Sequence, residues 1–486
     1  MNLTLVIPEL CLVAFAIIVI LLDACSRLKV WLGSISLAGL VIAAGVTVAM
    51  WGGSYSSIFN NMLAVDNFAL FFKLLFLGIA FLVILASRDY VIKMANFQGE
   101  YYALILLSTL GMMLMAASTD LIAIYVALEL TSISLYALVG FLKDPKSTEA
   151  SLKYLLLGAM ASAVLLYGMA LVFGFTGQTQ LGEIAAALQS MSLPTLMASP
   201  ALLLGIVLLI AGFGFKIAAV PFQMWAPDVY EGAPTPVTAF LSVASKAAGF
   251  ALILRVFFSA FGDPGWLSLN WGIIFAVLAA ISMTVGNVLA ISQTNIKRLL
   301  GYSSVAQAGY LMVGLATLGL SPSGDQLGQS GIIFFLTSYA LTNLGAFIAI
   351  IAITNKTGSD QIEDFSGMIK RAPLLALALT LCLISLIGMP PAAGFMAKFY
   401  IFSSAVQYNL LWLVAIAVIN SVISAYYYLR VVKVMWFGQA ASTDGVPSST
   451  ALRLALVICC LGVLVIGIIP GAVMNIARLA ASMFVT

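Results

Sequence analysis

Three lysines stand well inside apolar runs, Lys216, Lys246 and Lys398, and a glutamate, Glu129, stands inside another, "AIYVALELTSISLYALVG". A charge at the centre of a bilayer costs about 2.5–3.5 kcal/mol on insertion scales. Three deep lysines cannot all be ion-paired by one deep glutamate. The surplus must be neutral part of the time or hydrated within the protein. Burial penalises the charged form of a lysine, and a nearby carboxylate favours it. A buried lysine whose carboxylate can approach or retreat is therefore a proton site of adjustable affinity. One pKa unit is worth about 1.4 kcal/mol. Moving one charge across 100 mV takes about 2.3 kcal/mol. Swings of a few units would drive a proton uphill, within the 3–5 units that burial produces. Structural ion pairing is the competing account of each residue taken singly.

Two of these lysines adjoin a break. Lys216 precedes Pro221 by five residues, and Lys398 follows "GMPPAAGF", which holds Pro390 and Pro391. Proline removes a backbone donor and clashes with the preceding turn. Within a membrane such a break survives only where protein or internal water satisfies the freed groups. Both helices are expected to be discontinuous. Arg255, Lys73 and Lys153 lie nearer the ends of their runs, and for them reaching outward to water is the competing expectation. Glu9, in "VIPELCLVAF", is the other acid inside an apolar run.

The elements that carry these residues follow from composition. The chain is 63% hydrophobic and 8% charged, against about 25% charged in soluble domains. This is an all-α polytopic membrane protein. About 20 apolar residues span a bilayer, and on that criterion about fourteen runs are found: 4–23, 32–52, 66–87, 101–118, 121–141, 150–174, 201–220, 237–260, 270–291, 296–317, 331–354, 373–404, 408–430 and 451–472. With the N-terminus outside, the loops on the cytoplasmic side carry Arg27, Lys29, Arg88, Lys93, Lys143, Lys146, Lys297, Arg298, Lys356, Lys370, Arg371, Arg430, Lys433 and Arg453. The other loops carry none and the outer C-terminal segment only Arg478, which satisfies the positive-inside rule with both termini outside. One miscounted helix would scramble that segregation. "LGEIAAALQSM" reads as a short amphipathic helix at the interface.

Spans four to eight and nine to thirteen form two blocks of five, each interrupted near its fourth helix. An odd number makes the second block inverted, a plan in which a half-channel from each face meets at midplane. The expected divisions are 1–95 for three leading helices, 96–262 and 263–435 for the repeats, and 436–486 for a last helix. No soluble catalytic head and no nucleic-acid site is implied. Histidine is absent, which excludes His-based metal or haem ligation. The five cysteines form no C-x-x-C and read as core-filling thiols. No metal site, flavin motif or dinucleotide fingerprint is present.

The motifs "VPFQMWAPDVYEGAPTPVTAFLSVASKAAGF", "QTNIKRLLGYSSVAQAGYLMVG" and "GMPPAAGFMAKFYIF" closely resemble the antiporter-like membrane subunits of respiratory complex I, the proton-pumping NADH:quinone oxidoreductase. The resemblance spans nearly the whole chain. "DVYEGAPTPV" and "SKAAGF" are more similar to the counterpart of mitochondrial subunit 2 than to its two larger paralogues. Lysine rather than glutamate at 398 departs from the middle paralogue. The resemblance implies that Glu129 pairs with Lys216, that Lys246 relays protons along the midplane and that Lys398 stands by the exit half-channel. Lys153 would be an accessory polar site. Many relatives carry histidine where this chain has Gln223 and Gln307. Glutamine cannot take a charge near neutral pH, so these are read as water-organising positions. The implied setting is the bacterial inner membrane, beside the other membrane-arm and peripheral-arm subunits. Quinone, flavin and iron–sulfur clusters would belong to those partners, with no redox centre in this chain. The alternatives are a cation/proton antiporter subunit of the sodium-resistance type, a membrane subunit of a related hydrogenase or ferredoxin-fed quinone reductase, and a purely structural scaffold.

Overall fold

A computed structural model describes residues 3–25, 29–53, 55–92, 97–192, 194, 196, 199–262, 265–320, 327–439 and 444–482. Arg27 and Lys93, and the expected divisions at 95/96 and 262/263, fall on or against residues outside that set. The helices are α1 (Ile7–Cys25), α2 (Leu32–Ala49), α3 (Asn67–Ile92), α4 (Gln98–Ala117), α5 (Leu121–Val139), α6 (Pro145–Thr176), α7 (Leu181–Ser190), α8 (Pro200–Ile217), α9 (Trp225–Gly232), α10 (Thr235–Phe261), α11 (Gly265–Ile291), α12 (Ile296–Leu320), α13 (Leu327–Thr357), α14 (Pro373–Ile387), α15 (Ala393–Gln407), α16 (Leu411–Phe437), α17 (Thr450–Ile468) and α18 (Gly471–Ala481). Among the described residues thirteen helices are long and apolar enough to cross a membrane. The remaining expected run, 373–404, is divided into α14 and α15, fifteen residues each. The 435/436 division falls in the last turn of α16. A hairpin of β1 (Ser56–Ile58) and β2 (Leu63–Val65) is the one sheet among the described residues.

Local chemistry sets the ends. Asp144 caps α6 through the Ser147 N–H at 2.7 Å, ahead of Pro145 in its first turn. That arrangement satisfies a free donor and uses a residue that needs none. α7 buries Leu181, Ile184 and Leu188 on one face, the amphipathic helix expected there. α10, α12 and α13 form the interior. α10 is buried all round, whereas α1, α6, α16 and α17 turn most of their surface outward, where lipid is the natural solvent for exposed Leu, Ile and Val.

The loops sort into two sets, each meeting itself. In one, Thr119 donates to the Asn61 carbonyl at 2.6 Å and Gln180 to the Asn60 carbonyl at 3.0 Å. In the other, Glu231 pairs with Lys146 at 3.3 Å and Arg298 at 3.2 Å, and Lys297 pairs with Asp360 at 3.2 Å. The second set is the one the basic residues assign to the cytoplasm.

Two pairs of features match. α8 ends on Ala218 (φ +58°) and α14 on Gly388 (φ +92°), and three residues after each lies a cis proline, Pro221 and Pro391. α6 ends in Thr176–Gly177 and α13 in Thr357–Gly358, with φ of +71° and +70° at the glycines. Each turn then bridges to the start of a helix, Gln180 to Asp120 and Gln361 to Asn295. Asp120 and Asn295 both cap the helix that follows, α5 and α12. The two Thr–Gly turns lie in opposite loop sets.

Candidate functional site

Lys216 lies in the last turn of α8, just before the break, and is 3% exposed. Its stem runs past α10 because Gly249 has no side chain. A Cβ there would come within 2.7 Å of Ile217 and 3.4 Å of the Lys216 Cγ. The ammonium donates to the Ser132 hydroxyl at 3.0 Å. Glu129 lies one turn before Ser132 on α5 and is half-buried. Its carboxylate accepts from the Ser162 hydroxyl of α6. Glu129 and Lys216 form no direct ion pair: Ser162 takes the carboxylate and Ser132 the ammonium.

Lys246 follows a π-helical turn, Leu241–Ser245, within α10. Such turns widen the backbone locally and recur at functional sites. Lys246 is 1% exposed and its ammonium donates to the Ser304 carbonyl of α12. The Ser304 hydroxyl reaches the Tyr230 hydroxyl at 3.3 Å. Ser242, in the π turn, accepts from Asn343 at 2.8 Å. The Ser245 hydroxyl is buried without a partner among the described residues.

Gln307, one turn beyond Ser304, is 3% exposed and donates to the Leu386 carbonyl at 3.0 Å. The next carbonyl, Ile387, accepts from Lys398 at 2.8 Å. A helix end leaves its last carbonyls unpaired, and here Gln307 and Lys398 take two of them at the break. Lys398, 5% exposed, also donates to Ser421 at 3.1 Å and stands 4.2 Å over the Tyr310 ring. A crevice of about 720 Å³ opens beside it, lined by Phe395, Phe399, Phe402 and Val422 with Lys398 and Ser421. Among the described residues, none of Lys216, Lys246 and Lys398 has a carboxylate within 4.0 Å.

The other sequence candidates are placed differently. Lys153 is half-exposed and ion-paired to Glu149 at 2.8 Å and Asp228 at 2.9 Å, in the cluster that includes Arg298. Gln223 follows the first break, and its buried side-chain oxygen has no partner among the described residues. A buried acceptor of that kind is a place for ordered water. Arg255 does not reach outward. It is wholly buried, bonded to both oxygens of Asp66 at 2.7 and 3.2 Å and to the Ala116 carbonyl at 2.7 Å. Lys73 pairs with Glu9 at 2.6 Å. Asp66 caps α3 at the Ala69 N–H, and an acid at a helix start carries no mark of burial. Ser132, Ser162, Ser304 and Ser421 were also missed, because a hydroxyl in an apolar run has no distinguishing spacing.

This arrangement of discontinuous helices and buried lysines defines a class, the antiporter-like transmembrane subunits. A family model described as NADH:quinone oxidoreductase/Mrp antiporter, TM, matches residues 118–424, and the chain belongs to that family. Within it, a protein named NADH-quinone oxidoreductase subunit N from Dehalococcoides mccartyi is 51% identical over 98% of this chain and 99% of its own. A chain of Thermus thermophilus respiratory complex I is 33% identical, with a TM-score of 0.81 over 96% of this chain and 99% of that one. A chain of the archaeal membrane-bound sulfane sulfur reductase is 27% identical, with a TM-score of 0.87 over 99% and 97%.

Proposed function

We infer that this chain is the subunit N of an NADH:quinone oxidoreductase and moves protons through its buried lysines, driven by quinone reduction in partner subunits. The observation that carries the reading is the run of three buried ammonium groups without a direct carboxylate, joined by one continuous set of contacts. Lys216 packs on Gly249, in the first turn after Lys246. Lys246 reaches α12 at Ser304, Gln307 joins α12 to the end of α14, and Lys398 takes the adjacent carbonyl. Glu129 sets the charge balance at Lys216, and shifting it toward or away from Ser132 alters that lysine's proton affinity. Lys246 is the relay and Lys398 the release site. Gln223 and Gln307 hold water and carbonyls without carrying charge.

The matched breaks and turns support two inverted repeats, with their boundaries near 96–262 and 263–435. The basic loop set then faces the bacterial cytoplasm and both termini lie outside. On that side, a polar crevice of about 540 Å³ lined by Asp144, Lys146, Glu231, Lys297 and Asp360 opens at Thr235. Thr238 and Ser242 continue buried along α10 toward Lys246. Redox centres belong to partners.

The test is the intact complex in liposomes, with NADH and a quinone supplied. Lys216→Ala and Glu129→Ala are expected to keep electron transfer while the proton yield per NADH falls. Proton yields equal to the parent complex would refute the relay and favour a scaffold. Dependence of the yield on sodium would favour a cation antiporter.

A further inference from the structure

The cation of Lys398 is balanced without a carboxylate. An ammonium has three donors and no acceptor. Two donors are used, on the Ile387 carbonyl and on Ser421. The third side faces the Tyr310 ring, 4.2 Å from the ammonium to the ring centroid, and an aromatic face attracts a cation, more so when both are out of water. The carbonyl partner is the end of α14, where the helix dipole is negative. Tyr310 is itself held. Its hydroxyl accepts from Asn287 of α11 at 3.3 Å and meets Ser421 at 3.4 Å. Asn287 is fixed from α16: it donates to the Asn420 side chain at 3.2 Å and accepts from the Tyr427 hydroxyl at 2.9 Å. Tyr310, Asn287 and Tyr427 are wholly buried, and Asn420 nearly so. Burial alone obliges the Tyr310 hydroxyl to find a partner; here that partner, Asn287, is itself held by Asn420 and Tyr427, which fixes the ring relative to α16 and so to Ser421, the second contact of Lys398.

We propose that Tyr310 is the positioning residue of Lys398: its ring face occupies the third side of the ammonium, and Asn287, gripped by Asn420 and Tyr427, fixes the angle of that ring. The inference rests on the relay reading and adds a residue to it. The ring holds the protonated lysine between the α14 carbonyl and α16. Turning the ring away leaves the ammonium one contact short and favours its deprotonation at that point.

Four variants in the intact complex decide this, with electron transfer and proton yield per NADH measured on assembled material in liposomes. Lys398→Ala is expected to lose proton yield and keep electron transfer. Tyr310→Leu is expected to fall to the same level, whereas Tyr310→Phe, which keeps the ring face but loses the hydroxyl that Asn287 holds, falls part of the way, to the same yield as Asn287→Ser. Asn287→Ser leaves the ring in place but unclamped and lowers the yield toward that of Tyr310→Leu; it carries the test even if Tyr310→Leu does not assemble. A full yield in Tyr310→Leu, Asn287→Ser or Tyr310→Phe, or a Tyr310→Phe as poor as Tyr310→Leu, overturns the proposal while leaving Lys398 as a relay. A full yield in Lys398→Ala brings down both.

Discussion

Arg255 and Lys398 are both bases buried in the membrane, and they are held in opposite ways. Arg255 has a carboxylate with two bonds, a carbonyl and the face of Phe68 at 4.8 Å. A guanidinium stays charged at any accessible pH, so this pair can only hold helices together, joining the start of α3 to α10. Lys398 has dipoles alone, which leave its proton free to go. The contrast separates structural charge from working charge, and only half of it was legible. That Lys216, Lys246 and Lys398 lie too deep to reach water could be read from their distance to the nearest loop. That Arg255 does not snorkel could not, because its partner is 189 residues away in sequence and sits at a helix start. Removing one partner of a buried pair typically costs about 3–5 kcal/mol. Asp66→Ala is therefore expected to destabilise the subunit by that order, seen as a lower melting temperature of the purified complex and less assembled subunit. An unchanged melting curve would mean that water reaches Arg255.

Among the elements, the two breaks do the positioning, and the prolines announced them. Their equivalence goes further than proline. Each half-helix ends on a residue with positive φ, three before its cis proline. At the second break that residue must be glycine for two reasons. An L-residue with a left-handed backbone costs roughly 1–2 kcal/mol, and a Cβ on Gly388 would lie 2.9 Å from the Lys398 Cδ. Gly388→Ala is thus expected to displace Lys398 from the Ile387 carbonyl and cut proton yield with electron transfer intact. Ala218→Gly, at the corresponding point of the first break, relieves backbone strain and is expected to leave the yield unchanged. Liposome assays on both variants check the pair, and equal behaviour would show that the lysine contact does not matter. The matching turns "TGQTQL" and "TGSDQI" were also open to view in the sequence. They are short, and only the bridges to Asp120 and Asn295 mark them as the same device used at opposite faces. The close passage of Lys216 at Gly249 was not legible, since "SKAAG" carries no sign of which helix lies against it.

For the whole molecule, the charge count was the most informative signal, because a bilayer admits only two faces. The structure gathers helices far apart in sequence into one ion cluster: Lys153 from α6, Asp228 and Glu231 from α9, and Arg298 from α12. The cluster ties the first expected repeat to the second. Partial burial pushes the Asp228 carboxyl up, but its bonds from Lys153 and Arg298 outweigh this and hold its pKa below the usual carboxylate range. A carboxylate whose pKa is lower in the folded than in the unfolded state stabilises the fold above the unfolded value. That contribution is lost as pH falls through the folded one. Melting temperature should therefore decline on acidification below the ordinary carboxylate range, and Asp228→Asn should lower it at neutral pH while flattening that part of the decline. Exposed pairs are weak and salt-screened, so the difference between parent and variant should shrink at high ionic strength. If Asp228→Asn leaves both the neutral melting temperature and the acid decline unchanged, the cluster is solvated ornament, and the two halves are held by the buried contacts of α10 and α12 alone.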